Sequence, residues 1–368
     1  MGIVVTGIGV VSSLGANTEA FRRALLAGDC PCRPHPFRRI DGSVVTAPAY
    51  IAQPADAAGL IEPKKLRRMF RLARMSAVAA RQALQQAGLD PAGMDPARLG
   101  VVFGTSMGAL EVTQKFVDSW LEQGAQHASP LQFMNSVHGI LASQVALDVN
   151  ATGVNLTTAQ RDICFEAALD TACSLLEQRR ADVILVGGAD ELTDLLHEFG
   201  SRLHQFTLDL AQRGIDPGTS RSAVIPGDGA AVAILERDDS PRAPMARVER
   251  TAIGRHDVGD DDVTSLILKT ANRIDLVTTA LDGSGRAANV YKCARYAVPS
   301  VSHLGSLGQY PSAGAQQFAA NVLMLNHREG YAALANGSPG PAQTAPTCIL
   351  HDARSVSGNH AAYILSRA

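Results

Sequence analysis

The chain's cysteines and histidines are the residues most readily put to chemical work, and two cysteines share one stretch. Asn155 to Glu191 reads as strand end, tight turn, long helix, short loop and buried strand. Apolar residues recur at helical spacing at Ile163, Phe165, Ala168, Leu169, Ala172, Leu175 and Leu176. Ala181 to Gly188 is mostly apolar and ends in glycines, as suits a strand buried on both faces. A residue at the turn of such a unit sits at a helix N-terminus, where the partial positive charge activates a thiolate or holds a carboxylate. The chemistry turns on which residue stands there. Cys173 falls in mid-helix and reads as a small buried residue. Cys164 lies nearer the turn and is the fallback nucleophile.

Other candidates are weaker. His138 is a possible base, with a hydrogen-bonded structural role as the simpler reading. His197 and His204 are seven apart, two helical turns, but lack a third ligand for a metal. Asp257 to Asp262 lacks the alternating ligands and terminal Glu of a calcium loop. The six cysteines show no paired CxxC spacing, which favours reduced thiols and a cytoplasmic home over a zinc site or disulfide scaffold. No metal or cofactor is expected. With 46% hydrophobic and 18% charged residues and a net charge of −2, nothing marks a nucleic-acid or membrane-surface binder. No uninterrupted apolar run reaches the ~18 residues of a membrane span, and Met1 runs straight into a strand rather than a signal peptide.

Elements must position these residues. Ile3 to Leu14 reads as a strand with a glycine turn, followed by a helix from Thr18 to Leu26 with Asn17 as N-cap and Gly28 as C-cap. Asp29 to Ala58 reads as an irregular excursion. Lys64 to Leu89 is a strong helix pattern, basic in its first half. Leu99 to Leu110 is a buried strand running into a Gly-Thr-Ser turn. A break near 238–244 separates a half at 1–238, with its elbow at 156–165, from a shorter half at 244–368 that repeats the layout.

These pieces resemble the β-ketoacyl synthases of the thiolase superfamily from about residue 3 to residue 366. IVVTGIGVVSSL, LGVVFGTSMGAL, RRADVILVGGADE and PGDGAAVAILE are similar to that family's structural motifs. The resemblance implies an α/β, thiolase-like five-layer αβαβα fold built from two duplicated halves. The family carries T-A-C-[SA]-S at the elbow, about 25 residues before a Gly-Gly pair. Here the aligned residues are Thr157, Thr158, Ala159, Gln160, Arg161 and Asp162; Gln160 lies 27 and Asp162 25 positions before Gly187. Neither is a cysteine. The first catalytic histidine falls on Asp282, or on Ala280 without a gap; the second falls on Gln309, and the motif's lysine on Leu304. His303 is the only histidine of that last segment. The glycine-rich gating loop becomes Arg354 to Asn359 and loses its phenylalanine.

Claisen condensation needs a thiolate to carry the acyl chain and two histidines to polarise a thioester carbonyl and stabilise the enolate. The resemblance therefore implies a catalytically degenerate member, most similar to the chain-length factors of type II polyketide or aryl polyene systems. Such a subunit forms a heterodimer with an active ketosynthase, meets the complex's acyl carrier protein, and shapes the acyl tunnel. Phe133, Met134 and His138, in the segment the family uses at its dimer contact, are the expected tunnel and interface residues. Two alternatives stand beside it: a malonyl-carrier decarboxylase using Gln160 or a condensing synthase using Cys164, and a scaffold homodimer without an acyl pocket.

Overall fold

The computed structural model describes residues 2–55, 57–203, 225–255, 263, 267, 274–280, 300–331, 334–335, 338–339, 344–355 and 357–368. β1 (Ile3–Val11) is buried along its whole length. α1 (Thr18–Ala27) begins at Asn17, whose side chain accepts from the Ala20 amide, and ends at Gly28 with φ 70°, as the sequence predicts. A hairpin, β2 (Arg33–Arg38) with β3 (Val44–Ala49), occupies part of the segment read as irregular. The single basic helix expected over 64–89 is two helices, α2 (Pro63–Leu66) and α3 (Arg71–Gln86). Phe70 between them is extended, at φ −69° and ψ 165°. Met69 and Phe70 pack against the core beneath α3, and turning them inward breaks the helix that local propensity would continue.

The first half continues with β4 (Leu99–Gly104), α4 (Leu110–Gln123), α5 (Pro130–Ser136), α6 (Ile140–Val149), β5 (Asn155–Thr158), α7 (Cys164–Glu177), β6 (Val183–Asp190), α8 (Asp194–Arg202) and β7 (Gly229–Arg237). Beyond it come β8 (Ala246–Arg255), β9 (Leu276–Ala280), β10 (Ser300–Val301), α9 (Leu304–Leu307) and α10 (Gly314–His327). A short pair, β11 (Leu334–Ala335) and β12 (Ser338–Pro339), precedes the C-terminal hairpin of β13 (Cys348–Arg354) and β14 (Asn359–Arg367).

Ten strands form one mixed sheet in the order β10-β9-β13-β14-β8-β1-β7-β6-β4-β5. Both wings, read outward from the central β1–β8 pair, repeat one pattern. β1–β7 and β7–β6 are antiparallel, then β6–β4 and β4–β5 are parallel. In the other wing β8–β14 and β14–β13 are antiparallel, then β13–β9 and β9–β10 are parallel. β4 and β6 are buried at every position, which explains their mostly apolar sequence up to Asp190 at the end of β6.

The largest core joins β1, β6, β7 and β8 to α7 and α10. α10 is buried continuously from Gly314 to Leu325, its polar Gln316, Gln317 and Asn321 included; a mostly apolar helix without a solvent face belongs inside, between layers. A second core fills the space between the first wing and α3 and α6. Beyond the second wing Val263 and Ile267, both helical, are buried against Val277, Leu350, Ala362 and Ile364. Because α7 and α10 pack against strands of both wings, the two wings of the one sheet act as separate layers, and the order is helix, sheet wing, helix, sheet wing, helix. Gly7 and Gly9 allow the close approach of β1 and α3, because a Cβ at either would run into the Ala83 or Ala79 carbonyl. Among the described residues no helix is long and apolar enough to cross a membrane.

Candidate functional site

The elbow lies between β5 and α7. Thr158 ends the strand, and its hydroxyl donates to the Cys164 carbonyl at 2.7 Å, tying the strand end to the helix start. Residues Arg161–Ile163 form one 3-10 turn between them. Arg161 takes φ 51°, a left-handed conformation that costs a non-glycine residue roughly 1 kcal/mol. Gln160 and Arg161 are exposed, whereas Asp162 is half-buried. The Ser355 hydroxyl donates to the Asp162 carboxylate, and Ser355 also bonds Ser357 at 2.9 Å. Of the two candidates for the elbow, Asp162 is the one set against the C-terminal hairpin. Next to it, buried Ile163 forms a small apolar cluster with Ala353, Ala361 and Ala280. Ala280, the ungapped counterpart of a catalytic histidine, therefore lies beside the elbow as a methyl group. Asp282, the gapped counterpart, falls outside the described residues, as does His204.

Cys164 does not suit the nucleophile's part. It is 0% exposed, and burial, with Asp190, Glu166 and Asp162 nearby, pushes its thiol well above the usual range. Such a thiol supplies almost no thiolate at neutral pH. Cys173 is buried in mid-helix, as expected, and burial likewise raises its thiol.

One turn beyond Asp162, α7 buries a second acid that the sequence reading did not single out. Glu166 is 3% exposed, and its Oε1 lies 3.4 Å from Nε2 of His351, which is fully buried on β13. Neither Glu166 oxygen has a hydrogen-bond partner. The carboxylate stands against Gly314, the first residue of α10, where a Cβ would run into it. The helix N-terminus favours the negative charge there. His351 Nδ1 meets the Thr278 hydroxyl at 2.9 Å. The Asn321 amide donates to that hydroxyl at 2.9 Å and to the Tyr363 hydroxyl at 3.2 Å. The His351 ring stacks on Tyr363, with centroids 4.6 Å apart. Only two signals could have pointed to this network: an acid inside an apolar helix and a histidine inside an apolar strand.

The remaining candidates are dispersed. His303 is buried, and burial, together with His351, pushes it down to about 4, against the pull of its bond to Asn321; it is a neutral ring of the interior. Gln309 bridges to Pro226, its amide donating to the Ile225 carbonyl at 2.9 Å. Leu304 opens α9. In the segment aligned with the gating loop, Arg354 pairs with Asp352, and Asp352 also meets His360 at 2.8 Å. His197 stacks on Phe37 at 3.7 Å. Among the described residues no group of three or more histidine, cysteine, aspartate or glutamate side chains is placed to hold a metal.

Phe133 and Met134 lie on the surface, 57% and 59% exposed. Phe133 packs on Phe116 of α4, with ring centroids 5.6 Å apart. Trp120 and Leu121 of α4 and Leu131 of α5 are exposed too. Exposed His138 has Nε2 at 3.1 Å from the Ser106 carbonyl, a structural hydrogen bond. β5 forms the edge of the sheet and leaves Asn155 and Leu156 exposed.

With this geometry in place, similarity to known proteins gives the site its family. The chain is 28% identical over 251 residues to the chloroplastic 3-oxoacyl-[acyl-carrier-protein] synthase I of Hordeum vulgare, covering 64% of this chain and 52% of that protein. It is 30% identical over 271 residues to the actinorhodin polyketide putative beta-ketoacyl synthase 1 of Streptomyces coelicolor, covering 68% and 56%. The chain thus matches little more than half the length of these relatives. The ishigamide ketosynthase/chain length factor superposes with a TM-score of 0.83 at 21% identity, covering 100% of this chain and 99% of that one, so the folds agree. The fold is the mixed α/β, thiolase-like one. The β-ketoacyl synthase N-terminal domain matches residues 1–240, and the chain belongs to the β-ketoacyl synthase family.

Proposed function

We propose that this chain is a non-catalytic, ketosynthase-like chain-length factor that pairs with an active β-ketoacyl synthase and shapes its acyl tunnel. The observation that carries the reading is Asp162 at the elbow, bonded to Ser355, with the nearest thiol buried. Asp162 takes the nucleophile's place. A carboxylate there cannot form the acyl thioester, and it repels both malonate and an enolate. Ala280 beside it can neither donate nor accept a proton. Gln160, which a decarboxylase would use to hold a carbonyl, is exposed two residues away.

The surface supports pairing. Phe133 and Met134 of α5 and Trp120 and Leu121 of α4 are exposed apolar side chains on two helices that pack together through Phe133 and Phe116, and large exposed apolar patches mark contact sites. A ketosynthase partner covers them, with Phe133 and Met134 next to its tunnel. The exposed cations Lys64, Arg67 and Arg68 suit an acidic carrier protein serving the complex.

Co-expression with a candidate ketosynthase, native mass spectrometry and a malonyl-carrier assay test the proposal. The expected result is a one-to-one complex whose activity needs the partner's cysteine and is indifferent to Cys164→Ala here. A homodimer that condenses or decarboxylates by itself, and stops on changing Cys164 or Gln160, would overturn it.

A further inference from the structure

One buried acid has no part in the reading above. Glu191 directly follows β6, is 2% exposed, and accepts a hydrogen bond from the Glu111 amide at 3.3 Å. Glu111 is in the first turn of α4, and this helix has Ala109 at its N-cap, with no capping side chain of its own. The first amides of a helix need an outside acceptor, and Glu191 supplies one from another element.

Among the described residues no ion pair is made to Glu191, although the charge of Arg71 acts on it. Arg71 on α3 pairs with Asp228, before β7, at 2.6 Å. Asp228 and Glu111 add negative charge beside Glu191. Asp190, its neighbour in the chain, is taken up by the Thr105 hydroxyl and the Ser106, Met107 and Ser312 amides. Burial above all, opposed by the Glu111 hydrogen bond and by the charge of Arg71, lifts the Glu191 carboxyl to about 7. The helix it holds presents exposed Val117, Trp120 and Leu121 and props Phe133 of α5.

We propose that Glu191 is a proton-operated pin for the α4–α5 surface: ionised, it holds the first turn of α4, and protonated, it lets that turn loosen. Pairing through this surface then tightens as pH rises through neutrality. The coupling to pairing rests on the function proposed above; the pin itself does not.

Nuclear magnetic resonance of the full chain between pH 5.5 and 8.5 reads the pin at the Glu111 amide. The amide of the wild-type chain titrates with a midpoint near 7, and its exchange, corrected for the intrinsic rate, slows about threefold at high pH. In Glu191→Gln, which keeps an acceptor oxygen, both changes vanish. No titration in the wild type, or an unchanged titration in Glu191→Gln, overturns the pin. The second measurement is affinity for the ketosynthase partner at pH 6 and pH 8. A gain of about threefold at pH 8 that is absent in Glu191→Gln supports the coupling. A pH-independent affinity beside a titrating Glu111 overturns the coupling alone. No complex at any pH, with Glu111 still titrating, overturns the pairing and leaves the pin standing.

Discussion

At the start of α7 a carboxylate is tucked against a serine, while on α4 and α5 residues as large as Trp120 and Phe133 stand in solvent. The two regions depart from an ordinary monomer in opposite directions. Burying acids such as Glu166 costs free energy unless charge, hydrogen bonds or a helix N-terminus offset it. Exposing aromatics forgoes about 25 cal/mol for each Å² of apolar surface that burial would remove from water. At the elbow Asp162 is thus half-buried and hydrogen-bonded, while large apolar side chains of α4 and α5 are left in solvent. On the function proposed above, this chain's specialised role is carried by its surface rather than by the elbow.

The comparison breaks most visibly at the surface. Replacing both Phe133 and Met134 by Glu is expected to weaken pairing at least about 300-fold, because aromatic anchors at interface centres carry most of the binding energy. Stability of the isolated chain should change little, since both side chains are already exposed. Calorimetric titration against the partner and urea unfolding of the single chain check the two halves. A small loss of affinity would move the interface elsewhere.

The interior responds in stability instead. Gly314→Ala drives a methyl group into the Glu166 carboxylate and should cost about 3 kcal/mol, the range for overpacking. Adding Glu166→Ala removes the obstacle and recovers part of the loss, as denaturant unfolding would show. The buried His303 sharpens the same point through pH. Its value falls from the ordinary 6.5 to about 4 in the folded chain, so the folded state prefers the neutral ring. Its contribution is complete above pH 6.5 and is lost as pH falls toward 4. Between pH 7 and 5 this amounts to on the order of 2 kcal/mol. Urea unfolding at the two pH values should show a shallower dependence in His303→Asn.

The smallest effect is at the elbow. Ser355→Ala and Asp162→Asn should each destabilise by about 1 kcal/mol, with a coupling of about 0.5 kcal/mol or more in the double mutant. Strict additivity would mean that the two side chains do not support each other, and the inward placement of Asp162 would need another explanation.

Much of the fold was legible because its signals are local. The mostly apolar runs of β4 and β6, the Asn17 and Gly28 caps and the periodicity of α7 each specify their own element. The helix expected over 64–89 failed where Met69 and Phe70, half-buried, pack against the core, a tertiary contact that local helix propensity does not record. At the elbow, counting residues established that no cysteine stands at either candidate position. It could not choose between Gln160 and Asp162, because a difference of two residues is absorbed by the turn.

Sequence alone therefore determined the family resemblance, through it the expected layered fold, and the absence of a cysteine at positions 160 and 162, because motifs depend on residue type and spacing along the chain. Tertiary structure decided which acid turns inward, that Cys164 is sealed in, and that Glu166 meets His351 from 185 positions away. Those facts depend on which surfaces the packed sheet and helices bring together, and neither periodicity nor spacing records that proximity.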